Sequence, residues 1–104
     1  MGSLSADVIR RVVRMHLGEV RYCYETALTR NARLGGLVSM SFVIGPTGAV
    51  ASAGATGLSD PAAETCVASA VRRWTFPAPS GGGVVRVTYP VNLAPSTATT
   101  AAGR

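Results

Sequence analysis

Apolar and small side chains at Ile9, Val12, Val13, His16, Val20, Cys23, Tyr24 and Ala27 recur at the three- and four-residue spacing of one helical face. Arg10, Arg14, Arg21 and Glu25 fall on the other side, so the pattern predicts one long helix from residue 5 to about residue 31. Ser5 is placed to cap it, and Asp7 lies in the first turn, where negative charge complements the helix dipole. Gly35-Gly36 is expected to end it through a left-handed turn. The period then changes. Val38, Met40, Phe42 and Ile44 alternate with Leu37, Ser39, Ser41 and Val43, the signature of a strand with one buried face. Gly45-Pro46-Thr47-Gly48 reads as a turn, followed by a small-residue strand from Ala49 to about Ala55. Its small side chains would let a helix approach the sheet closely.

Ser59-Asp60-Pro61 marks a second helix start, with Asp60 as N-cap and Pro61 at the first helical position, where its missing N–H costs nothing. Ala63, Cys66, Val67, Ala70, Val71 and Trp74 form its inner face. Glu64 near its start and Arg72-Arg73 at its end suit the dipole. Trp74-Thr75-Phe76-Pro77-Ala78-Pro79 should be extended, because residues before proline avoid the helical region. Ser80-Gly81-Gly82-Gly83 is a flexible loop. In the last strand, Val84 to Leu93, Val85, Val87, Tyr89, Val91 and Leu93 share one face; Val84, Arg86, Thr88, Pro90 and Asn92 share the other. Pro90 cannot donate to a ladder, which predicts an edge strand or a bulge. The expected fold class is α+β: two helices packed on a three-stranded antiparallel sheet, in the order α-β-β-α-β.

A chain of 104 residues accommodates one core and one domain. Expected limits are 1–4 as a cloning remnant or linker end, 5–94 as the domain, and 95–104 as a flexible tail. Only 14% of residues are charged and 47% are hydrophobic, which excludes charge-driven disorder. The net charge of +5 comes entirely from arginines, dispersed along the chain with no basic tract, and that weighs against a nucleic-acid partner. No apolar h-region opens the sequence, and the chain reads as a domain whose targeting segment lies upstream.

Cys23 and Cys66 lie on the inner faces of the two predicted helices. They admit either a disulfide, worth about 4 kcal/mol through loop closure, or a pair of free buried thiols. A disulfide would imply an oxidising compartment. His16 shares the face of Cys23, but zinc needs three or four ligands and nothing else here has metal spacing. His16 is therefore read as a core or boundary histidine with one hydrogen bond. No nucleophile accompanies it, and Asp7, Glu19, Glu25, Asp60 and Glu64 occupy caps and exposed faces, so neither a catalytic triad nor a carboxylate pair is assembled. Gly81-Gly82-Gly83 lacks the strand-before, helix-after context of a phosphate loop. Trp74 and Phe76 are expected to close the core. Enzyme, cofactor and metal are all expected to be absent.

The segments Gly48-Ala49-Val50, Gly57-Leu58-Ser59-Asp60, Ala70-Val71-Arg72-Arg73-Trp74-Thr75-Phe76-Pro77 and Val85-Arg86-Val87-Thr88-Tyr89-Pro90-Val91-Asn92-Leu93 together resemble a TonB C-terminal domain over residues 5–94. Val20-Arg21-Tyr22-Cys23-Tyr24-Glu25, with His16 upstream and Cys66 downstream, is similar to the AgmX/PglI C-terminal subgroup of gliding and envelope proteins. The resemblance implies a periplasmic domain of an inner-membrane-anchored protein, coupling an energised motor complex to an outer-membrane or periplasmic protein segment. It implies strand addition at Val84, Val85, Arg86, Val87, Thr88, Tyr89, Pro90, Val91 and Asn92. Arg10, Arg14 and Arg21 offer a different partner, peptidoglycan, and the glycine loop before the last strand allows a strand-swapped homodimer.

Overall fold

The computed structural model describes residues 2–94. Met1 and the tail expected at 95–104 lie outside the described residues. The element order is α1 (Ala6–Met15), α2 (Leu17–Leu28), β1 (Gly36–Ile44), β2 (Val50–Thr56), α3 (Pro61–Arg72) and β3 (Val85–Leu93). The three strands form one antiparallel sheet in the spatial order β2-β1-β3. The protein is thus α+β, with helices covering one face of the sheet.

The first helix differs from expectation: it is two helices, broken at His16, whose backbone angles are φ −111° and ψ 6°. The apolar periodicity continues through the break, since Val12, Val13, Val20, Cys23, Tyr24 and Ala27 are all buried. Periodicity therefore could not reveal it. Two features favour the break. Gly18, beside it, is a poor helix former, and the His16 ring stacks on Trp74, which comes from the far end of α3, with centroids 5.0 Å apart. The single N-terminal layer expected from sequence becomes α1 and α2, giving three helices in all.

The helix end is the second correction. α2 stops at Leu28 with Thr29 as its C-cap, well before Gly35-Gly36. Thr29 Oγ1 donates to the Thr26 carbonyl at 2.6 Å, and the Arg33 N–H donates to Asn31 Oδ1 at 3.1 Å, so side chains satisfy a turn there. The buried Tyr24 hydroxyl donates to the Leu34 carbonyl and draws this connection onto the core. Gly36, at φ +133°, instead opens β1.

Elsewhere local chemistry acts as its residues imply. Ser5 Oγ accepts from the Val8 N–H, and Asp60 Oδ1 accepts from the Ala63 N–H at 3.0 Å. Val38, Met40, Phe42 and Ile44 are buried beneath the helices. Gly48, at φ +94°, lies so close to the chain at Phe76 that a Cβ there would sit 1.9 Å from the Phe76 carbonyl oxygen. The Phe76 N–H donates to the Gly48 carbonyl at 2.9 Å, tying the extended segment after α3 to the hairpin turn. Phe42 stacks on Phe76 at 5.5 Å and meets Trp74 edge-on at 6.4 Å. Ser3 pairs with Ser80 through two backbone hydrogen bonds of 2.9 Å, so the packed structure begins ahead of residue 5.

Candidate functional site

β3 lies at one margin of the sheet and hydrogen-bonds to β1 alone. Its pairing runs from Ile44↔Val85 to Gly36↔Leu93 without a register shift. The strand starts at Val85, one residue later than expected, and Val84 sits just before it, 43% exposed. Unbroken pairing through Ser39↔Pro90 has a geometric consequence. Proline has no N–H to give, so its nitrogen must point away from β1. In a strand, backbone groups alternate sides. The N–H and C=O groups of Arg86, Thr88 and Asn92 therefore point outward along with the Pro90 carbonyl, while Val85, Val87, Tyr89, Val91 and Leu93 bond to β1.

The side chains of β3 divide the same way between the two faces of the sheet. Arg86, Thr88, Pro90 and Asn92 are exposed; Val85, Val87, Tyr89 and Val91 are half-buried against the core. The face away from the helices also carries Val43 and the small residues Ser41, Ser52 and Gly54, which line a shallow depression beside Arg86 and Thr88. Leu37, on the same face, is 59% exposed.

Cys23 and Cys66 are disulfide-bonded, joining α2 to α3 with their Cα atoms 5.7 Å apart. Cys23 is buried, whereas Cys66 is half-buried and lines a groove with Gly18, Tyr22, Ala70 and Arg73. Of the arginines assigned to wall attachment, Arg10 is paired with Asp7, Arg21 is half-buried and Arg14 is exposed.

Sequence reasoning missed Glu19 as a structural partner. One of its oxygens accepts from Trp74 Nε1–H at 3.0 Å and the other lies 2.8 Å from His16 Nδ1. A carboxylate has no proton to give, so His16 Nδ1 is the donor. These bonds, that to His16 foremost, hold the Glu19 carboxyl below its ordinary value of 4.5. The i,i+3 spacing of His16 and Glu19 was a visible signal; the arrival of Trp74 from another element was not. Among the described residues no cluster of His, Cys, Asp or Glu is arranged to hold a metal ion, and no helix is long and apolar enough to cross a membrane.

No protein-family model, curated protein or solved structure matches this chain.

Proposed function

We propose that the chain is a non-enzymatic interaction domain of the periplasm, coupling an inner-membrane energised complex to an outer-membrane partner in gliding motility or TonB-type transport. It grips a short extended segment of that partner by strand addition to β3. The observation that carries this reading is the edge itself: outward-pointing backbone groups at Arg86, Thr88 and Asn92 border a row of half-buried apolar side chains. An added strand satisfies the first and covers the second. The Cys23–Cys66 bond supports an oxidising compartment. The likeness of residues 5–94 to TonB C-terminal domains supplies the coupling role.

The test is amide chemical-shift mapping and hydrogen exchange with peptides from candidate outer-membrane proteins. The expected result is new protection at Arg86, Thr88 and Asn92. Shifts confined to Arg10, Arg14 and Arg21 would overturn strand addition and favour wall attachment.

A further inference from the structure

We infer that the segment taken up by β3 is acidic: it places an Asp or Glu beside Arg86, flanked on either side by apolar residues. This deepens the strand-addition reading and rests on it. The three strands contain a single charged residue, Arg86. It is exposed on the sheet face opposite the helices, and across β1 it faces Val43. Among the described residues it has neither a salt-bridge partner nor a side-chain hydrogen bond, although Arg10 and Arg30 both have carboxylates. An Arg in this setting leaves its planar fork of donors free for a carboxylate.

Strand geometry sets the rest of the pattern. A residue of the incoming strand directly opposite Arg86 projects onto the same face, a side-chain distance away. Its two neighbours project to the helix side, next to Val85 and Val87, which are half-buried at the margin of the sheet, with no strand beyond them among the described residues. Opposite Thr88 the open face is polar and uncharged. The segment therefore alternates apolar–acidic–apolar–polar–apolar. Pro90 withholds a donor, so the pairing that fixes register is concentrated at Arg86 and Thr88. A second copy pairing through its own β3 does not satisfy the pattern, since that strand contains no acidic residue.

The experiment is selection of a displayed library of random nine-residue segments against the intact, oxidised domain, and in parallel against Arg86→Glu and Arg86→Gln. Circular dichroism checks the fold of each variant, and amide mapping locates each selected peptide. For the wild-type domain, the expected enrichment is a single Asp or Glu between apolar residues. The best peptide should bind Arg86→Gln roughly fivefold more weakly, the scale of one cross-strand charge pair. Selection on Arg86→Glu should replace the acidic residue with Lys or Arg. If peptides map to β3 without an acidic preference, the charge inference fails while strand addition stands. Peptides mapping elsewhere, or a library from which nothing is enriched, would overturn both.

Discussion

The two margins of the sheet are built differently. β2 is locked at both ends: a Cβ at Gly48 would overlap the Phe76 carbonyl, and one at Gly57, at φ +109°, would lie 2.3 Å from the Leu37 carbonyl oxygen. Its small residues let α3 settle against it, with Gly54 and Ala55 lining a groove beside Pro61, Glu64, Thr65 and Ala68. Its pairing with β1 also slips between Val43 and Ile44. β3 has the opposite character. It is regular along its length, and in the loop leading into it a Cβ at Gly82 would meet no atom within 4 Å. A bulged margin is a poorer template for another chain than a regular one with outward backbone groups. By that measure β3 is the more available edge of the sheet.

This contrast can be broken experimentally, and the largest expected effect concerns the two helices joined by the disulfide. Replacing Cys23 and Cys66 together by Ala removes the bond between α2 and α3, and should lower urea-unfolding stability by about 4 kcal/mol. Next come the glycines. Gly48→Ala should cost at least about 3 kcal/mol, because left-handed strain is added to a backbone overlap. Gly82→Ala, at φ +72° but in open space, should cost about 1 kcal/mol. Equal losses at the two positions would remove the distinction between the margins.

Acid should act on the helix side as well. The Glu19 carboxyl titrates below its ordinary value of 4.5 in the folded protein, chiefly through its bond to His16. Asp60 likewise sits below 3.8, because the Ala63 N–H donates to it and Arg30 lies 3.1 Å away. A depressed folded-state value contributes stability above the unfolded value and loses it as pH falls through the folded one. Thermal midpoints should therefore decline as pH drops below about 4.5, and Glu19→Gln should flatten the upper part of that decline. The same variant leaves the Trp74 indole bond available but removes the charge. An unchanged pH profile would show that the Glu19 charge does not stabilise the fold.

The smallest effect on folding is expected at Pro90. Pro90→Thr restores an outward N–H on the free edge, changing stability by less than about 0.5 kcal/mol. It should nevertheless raise edge-to-edge self-association, measurable by sedimentation, since proline is one of the residues that blunt such edges. No increase in association would mean that the β3 margin is not open to pairing.

Much of the architecture was legible because its causes are local. The alternation in β1 and β3, the caps at Ser5 and Asp60, and the inner face of α3 all follow from side chains within a few residues of one another. Pro90 marked β3 for the edge for the same kind of reason: one missing donor restricts where a strand can lie. The last strand was correspondingly readable as a segment, with only Val84 falling outside it. The two misreadings involve contacts that periodicity does not carry. Beside the local Gly18, the break at His16 has the stack on Trp74, and beside the local Thr29 and Asn31 bonds, the early end of α2 has Leu34 folding back to the Tyr24 hydroxyl.

By itself, then, the sequence determined the buried faces of the helices and strands in outline, where α1 and α3 start and which strand lacks a donor, since periodicity, capping and proline chemistry operate within a turn or two of the chain. The tertiary structure alone decided that β2 is the bulged margin and β3 the regular one, that one helix becomes two, and that Arg86 has no counterion among the described residues. Those outcomes depend on groups distant in sequence meeting in space: Gly48 with Phe76, His16 with Trp74, and an arginine with no acidic residue on any strand beside it.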